Sequence, residues 1–225
     1  MPRTARAIVG GNCYHLINRG NNQAQVFREY ADYAAFLSLI GEMQQYLVVP
    51  ILAACLMPNH LHFVVRPIDR GDLARWTQRL FTTHVRRHHQ KYQTSGRLWQ
   101  GRFKAFLIQE DHHLITVMRY VERNALRAGL VARAEDWRWS SLRWRTLQSK
   151  SQVDLAESPV TLPDSWINYV NEPQTSAEVE SIRTCIQRQR PYGADDWVAH
   201  QASDLGLLHT LAPLGRPRRN CVAEK

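Results

Sequence analysis

His60-Leu61-His62 is a compact chemical signal in this 225-residue chain. Successive side chains on a β-strand alternate between faces, so both imidazoles project to one side. Leu61, Phe63 and Val65 project to the other. Two imidazoles on one face of a rigid strand suit a shared divalent ion. An isolated pair of this kind is more often two half-buried or exposed histidines, so it needs partners elsewhere in the chain.

Tyr120 and Asn124 are candidate partners. At about 100° per residue, His113, Thr116, Tyr120, Arg123, Asn124 and Arg127 share one helical stripe. Val117, Met118, Val121, Ala125 and Ala128 occupy the other side. A helical tyrosine ordinarily packs in a core, but this wheel places the phenol on the polar, arginine-bearing face. Asn124 lies one turn further along, where its amide oxygen can sit beside the phenol. The cations of Arg123 and Arg127 could stabilise a phenolate or grip phosphate, and both uses stay open.

The charge balance points to a polyanion. Lys and Arg number 29 against 20 Asp and Glu, a net charge of +9, and 25 of the 29 are arginine. Residues 73–109 hold Arg75, Arg79, Arg86, Arg87, Lys91, Arg97, Arg102 and Lys104 with no acid. A GC-rich coding bias would explain the arginine preference, but not 37 residues without a carboxylate. A nucleic acid explains both, because the planar guanidinium fits phosphate oxygens or a guanine edge. Trp76, Trp99 and Phe103 interleave with these cations as aromatic faces on which bases could stack. Trp76 is expected to anchor its helix to a sheet, while packing and stacking stay open for Trp99. The basic tail with Arg216, Arg218 and Arg219 reads either as a minor-groove arm or as a mobile terminus.

These residues need positioning elements. With 44% hydrophobic and 22% charged residues the chain is globular. No apolar run reaches the roughly 18–20 residues of a membrane span, and the start lacks a signal-peptide core. Cys13, Cys55, Cys185 and Cys221 have no CxxC spacing, which argues against a disulfide framework or a cysteine zinc site. A reducing cytoplasm is expected. Patterning predicts a strand over 12–19, a helix over 31–47, strands over 50–57 and 61–65 joined at Pro58-Asn59, and a basic helix over 72–90. A strand over 103–109 and a helix over 112–129 follow. This order predicts an α+β protein, a ferredoxin-like split βαβ sheet with an added helix that carries Tyr120. Residues 149–174 read as a linker, with short helices over 177–189 and 195–205. The expected division is a domain over 1–145 and a mostly irregular or helical extension over 146–225.

Four motifs carry a resemblance. They are Tyr14-His15 through Asn18-Arg19-Gly20, then Met57-Pro58-Asn59-His60-Leu61-His62, then Leu98-Trp99-Gln100-Gly101-Arg102-Phe103-Lys104, and Arg119-Tyr120 through Arg127-Ala128-Gly129-Leu130-Val131. In this order they resemble the single-tyrosine HUH transposases, specifically the REP-associated tyrosine transposases, over residues 8–145. The Gly-Arg-Pro-Arg-Arg tail is also similar.

The resemblance implies that His60 and His62 hold Mg2+ or Mn2+ and that Tyr120 is the catalytic nucleophile. It implies Asn124 as third ligand, at a position where some relatives carry the longer glutamine. It implies a partner in single-stranded hairpin DNA, the repetitive extragenic palindromes, with a guide tetranucleotide on the 5′ side. The implied reaction is a transesterification to a 5′-phosphotyrosine and a free 3′-OH. The protein–DNA link conserves bond energy, so no nucleotide cofactor is needed. Arg75, Arg79, Arg86, Arg87, Trp99, Arg102 and Lys104 are expected on the hairpin. Arg123 and Arg127 are expected at the reacting strand, and Arg216, Arg218 and Arg219 in the tail. No membrane partner and a cytoplasmic, nucleoid-associated location follow. Monomer and homodimer stay open, since related transposases outside this branch exchange catalytic helices.

Two other classes compete. A non-catalytic binder of structured nucleic acid could use the same platform, but binding requires neither the imidazoles nor a phenol facing them. A zinc hydrolase built on His60 and His62 lacks an acidic third ligand or base at a recognisable spacing.

Overall fold

Four strands, β1 (Cys13–Arg19), β2 (Ile51–Met57), β3 (His60–Val65) and β4 (Lys104–Ile108), pair antiparallel in the order β2-β3-β1-β4. The coordinates are a computed structural model that describes residues 8–146 and 152–212. Helix α1 (Tyr30–Gln44) connects β1 to β2, and α2 (Asp72–Tyr92) connects β3 to β4. This is the ferredoxin-like order expected from the sequence. The tight Pro58-Asn59 turn pairs Met57 with His60 and fixes the register of the hairpin. Pairing of β1 with β3 sets Ile17 opposite His62 and Arg19 opposite His60.

Both sheet faces are covered. On one, Tyr14, Leu16, Leu61 and Phe63 pack against Phe36, Ile40 and Met43 of α1 and Leu73, Trp76 and Leu80 of α2. On the other, Cys13, Cys55, Val64 and Phe106 pack against Leu114, Val117 and Val121 of α3 (His112–Glu122). This two-sided burial is why β2 reads as a continuous apolar run rather than an alternation.

The helix expected over 112–129 is divided. α3 ends at Glu122, Arg123 has ψ −5°, and α4 (Asn124–Arg127) follows. That ψ departs from the helical value of about −42°, a local irregularity across which the helical bonds continue: Arg123 N donates to Arg119 O and Arg127 N to Arg123 O, both at 2.9 Å. Gly129, at φ +69°, then ends the helix: Leu130 N donates to Ala125 O and Gly129 N to Leu126 O. Those two bonds form a Schellman cap, which needs a left-handed residue.

The C-terminal part is more ordered than expected. The sequence pattern carries no sign of α5 (Ser141–Thr146), and the linker expected over 149–174 contains α6 (Trp166–Asn171). Six residues are too few to display a helical period. α6 is held by burial of Trp166 and Val170 in the core shared with α3. α7 (Ser176–Arg188) opens with a reciprocal capping box between Thr175 and Glu178, and α8 (Asp195–Asp204) follows.

These segments also seal the sheet. At the β2 edge, Leu56 N donates to Trp139 O, Ala54 N to Ser141 Oγ, and Ala156 N to Ile51 O, each at 2.9 Å. At the β4 edge, Tyr192 N donates to Leu107 O at 2.8 Å and Gln109 N to Tyr192 O at 2.9 Å. The chain near Gln152 lies flat on α1, where any Cβ at Gly41 would run into the Gln152 carbonyl oxygen. Among the described residues no helix is long and apolar enough to cross a membrane.

Candidate active site

The β3 histidines, Tyr120 and Asn124 open into one cavity of about 590 Å³ on the α3 face of the sheet. The ends of β1 and β4 and the loop 98–102 form one side, and α7 forms the other through Arg183, Ile186 and Gln187. The loop is pinned by Asn21 N donating to Leu98 O and Gln100 N to Arg19 O, both at 2.8 Å. Gly20 sits in this corner because a side chain there would strike the Ala24 carbonyl.

Strand alternation brings the two imidazoles together, with ring centroids 5.0 Å apart and planes at 83°. The Tyr120 ring stands edge-on to His62 at 5.9 Å and to His15 at 6.2 Å. The Arg127 guanidinium covers its face, with Cζ 3.9 Å from the centroid. Tyr120 is only 5% exposed. The helical wheel therefore located its direction correctly but not its burial, because Arg127 covers the ring and His15 and His62 of the sheet crowd it.

Each cavity histidine has a partner on Nδ1. His60 Nδ1 lies 2.6 Å from Asn59 Oδ1, and His62 Nδ1 lies 2.8 Å from His15 Nε2. An amide oxygen only accepts, so His60 carries its proton on Nδ1 and keeps a lone pair on Nε2. Burial pushes the imidazolium of His15 down to about 3 and that of His60 down to about 4. The charge of Arg127 adds to both, and that of Arg19 to His60. Burial also holds His62 well below the ordinary range, with His15 and His60 contributing. The rings are therefore neutral at physiological pH, the form that binds a metal.

Asn124 is 6% exposed, and its Oδ1 accepts from Arg127 Nη2 at 2.9 Å. Two neutral imidazoles with engaged Nδ1 atoms and a nearby amide oxygen fit a divalent ion. A separate group, Asp111, His112 and His113, also clusters at the start of α3. There the Asp111 carboxylate caps α3 by accepting from His113 N at 2.8 Å, and His113 Nδ1 lies 2.7 Å away.

The expected DNA contacts divide among several places. Arg102, Lys104 and Arg127 line the cavity. Arg75, Arg79, Arg86 and Arg87 are exposed on α2, which packs on the opposite face of the sheet from Tyr120. Arg75 pairs with Asp72 at 2.6 Å, and Arg79 lies over the Tyr46 ring. Trp99 is a correction to the stacking option: it is 6% exposed and enclosed by Phe81, His84 and Phe27, which leaves no face for a base. Arg123 is another correction. It donates to Val170 O at 3.0 Å and to Asn171 O, so it clamps the end of α6 instead of facing the cavity. Arg119 does the same through Glu172 O at 2.8 Å. Arg216, Arg218 and Arg219 lie outside the described residues.

Sequence reasoning missed His15 and Asn59 as partners of the imidazoles, and Arg183 and Gln187 as cavity wall. The alternation of β1 does place His15 on the Ile17 face, but only the pairing of β1 with β3 brings it to His62. Arg183 and Gln187 carry no local signal of their destination.

A family model described as "Transposase IS200 like" matches residues 9–124, over half of the chain and inclusive of His60, His62, Tyr120 and Asn124. The chain belongs to the IS200-like transposase family. It is 29% identical over 101 residues to a Haemophilus influenzae protein described as a REP-associated tyrosine transposase. That match covers 40% of this chain and 57% of the relative, so the chain spans little more than half of that curated protein's length. A solved REP-associated tyrosine transposase bound to a REP hairpin superposes with a TM-score of 0.53 at 18% identity. The superposition covers 78% of this chain and 100% of the other, and shows a shared fold. The resemblance drawn from the motifs is borne out.

Proposed function

We propose that this protein nicks and rejoins single-stranded DNA beside a hairpin, with Tyr120 as the nucleophile. The observation that carries this reading is the 5.9 Å approach of the Tyr120 and His62 rings within one cavity of one chain. Non-catalytic binding gives no reason for a phenol beside two neutral imidazoles.

His60, His62 and Asn124 would hold the divalent ion. Asn124 Oδ1 has two lone pairs, so its bond from Arg127 leaves one free. Imidazole donors suit Mn2+ better than Mg2+. A bound ion supplies Lewis-acid polarisation of the scissile phosphate. Tyr120 Oη attacks phosphorus, the bond to O3′ breaks, and a 5′-phosphotyrosine and a free 3′-OH result. Attack of a 3′-OH on the phosphotyrosine reverses the step and rejoins the strand. Arg127 holds the phenol ring and the amide in place. Arg102, Lys104 and Arg183 provide cations around the cavity for backbone phosphates.

The test uses a hairpin oligonucleotide with flanking single strand, Mn2+ and a denaturing gel. Wild type should form a covalent adduct, and His60→Ala should form none while melting normally. An adduct formed by Tyr120→Phe would sink the assignment.

A further inference from the structure

His15 has no part in the chemistry above, yet it is fully buried and bonded to His62. Its ring stacks on His62 at 8° between planes and meets the edge of Phe106 at 4.9 Å. Its Nδ1 has no hydrogen-bond partner among the described residues. Packing alone does not account for such a residue. A phenylalanine or leucine would fill the space without burying an unpaired polar atom.

We propose that His15 is a positioning residue that accepts the Nδ1 proton of His62 and so presents the His62 Nε2 lone pair to the cation. The inference rests on the proposed role of His60 and His62 as ligands. A neutral imidazole carries one proton, so a ligating Nε2 requires the proton on Nδ1. For His60 the Asn59 amide oxygen settles this in advance, because it can only accept. His62 differs, because its partner is another imidazole and can either accept or donate.

The pair therefore has two arrangements. When His15 donates, the His62 proton sits on Nε2 and its lone pair is lost to a cation. When His62 donates, its Nε2 is free, and His15 carries its own proton on the unpartnered Nδ1. Ligand strength at His62 and a buried unpaired donor at His15 are thus two ends of one hydrogen bond. The two histidines of the strand motif are unequal: His60 is preset and His62 is adjustable.

The experiment measures Mn2+ binding to DNA-free protein by electron paramagnetic resonance of the free ion, with thermal melting as the check on folding. His15→Phe keeps the ring and the stack but removes the acceptor, and should weaken binding by about 10–100-fold. His15→Gln, with an amide oxygen at about the reach of Nε2, should restore affinity to within several-fold of wild type. Nitrogen-15 spectra of Mg2+-saturated wild type should place the His62 proton on Nδ1. Wild-type affinity in His15→Phe overturns the inference, as does His15→Gln no better than His15→Phe. A His62 proton on Nε2 in the saturated protein overturns it whether or not any variant folds. If wild type binds no Mn2+, or His62→Ala keeps full affinity, the ligand assignment itself fails and this inference falls with it. The inference alone fails when His62→Ala abolishes binding but His15→Phe does not weaken it.

Discussion

Arg127 lies over the Tyr120 ring at 3.9 Å and, in the same pose, donates Nη2 to the Asn124 amide oxygen. Its Nη1 is buried without a partner among the described residues, a donor left over for an anion. One guanidinium thus touches both the proposed nucleophile and the proposed third ligand. Arg127→Ala should slow single-turnover adduct formation by about 10²–10³-fold, the usual cost of losing a preorganised charge at a reacting phosphate. Arg127→Lys should recover little, because an ammonium cannot cover the ring and reach the amide together. An unchanged rate in Arg127→Ala would leave the residue as packing only.

The cations divide by sheet face, and DNA binding should divide with them. Neutralising Arg102, Lys104 and Arg183 to glutamine should flatten the salt dependence of hairpin affinity, by about 0.7–0.9 in slope for each phosphate left without its cation. Neutralising Arg75, Arg79, Arg86 and Arg87 together should change that slope less and leave the cleavage rate of the bound complex intact. Fluorescence anisotropy across a salt series reads the slopes, and single-turnover cleavage at saturating protein reads the rate. A larger loss from the α2 set would put the hairpin stem on the far face.

Glu122, fully buried two residues after Tyr120, ties α3 to the C-terminal part. Its carboxylate accepts from Trp166 Nε1 at 2.6 Å, from Arg145 Nε at 3.3 Å, and from Ser141 Oγ. Burial raises its pKa despite these partners, so the carboxylate depends on them for its place. Glu122→Ala leaves Arg145 Nε and Trp166 Nε1 without their acceptor, although Arg145 Nη2 keeps its bond to Leu52 O, and should cost about 3 kcal/mol in urea unfolding. Glu122→Gln keeps a single acceptor oxygen, enough for Arg145 and Ser141 at the Oε1 position but not for Trp166 at Oε2, and should recover only part of that cost. A cost for Glu122→Ala within the error of the urea midpoint would show that Glu122 does not anchor this junction.

His84 supplies a pH signature away from the cavity. It is buried against Phe27, Phe36 and Trp99, and burial, with the charge of His88, pushes its pKa from 6.5 down to about 3. Asp32 opposes this only in part. Below pH 6.5 the unfolded chain binds a proton that the folded chain refuses. Its contribution is therefore complete above pH 6.5 and is lost as pH falls towards 3. Between pH 7 and 5 this single group should remove about 2 kcal/mol from stability. His84→Leu should abolish that share, so between pH 7 and 5 the stability difference should shift by about 2 kcal/mol in favour of the variant. Parallel loss in both proteins would refute the assignment.

Legibility in the sequence followed the range of the interaction. The shared face of His60 and His62 depends on strand parity, and the direction of Tyr120 on helical phase, so both could be read locally. Burial of Tyr120 depends on Arg127 folding over the ring and on His15 and His62, which only the assembled sheet brings to it. Arg123 misleads in the sequence because its partners are backbone carbonyls at the end of α6, and carbonyls have no residue-type signature. Trp99 stays open in the sequence because its loop packs back on Phe81 and His84 through contacts visible only in the fold.

The seal along β2 has a consequence for any shortened version of the protein. The strand reads Ile-Leu-Ala-Ala-Cys-Leu-Met, without charge or proline, and the amides of Ala54 and Leu56 are satisfied by Ser141 and Trp139. A fragment stopped after Arg127 would keep the phenol, the imidazoles and the amide, yet bare an adhesive ribbon that copies of itself could extend. Such a piece would be lost to self-templated fibres before its chemistry could be assayed.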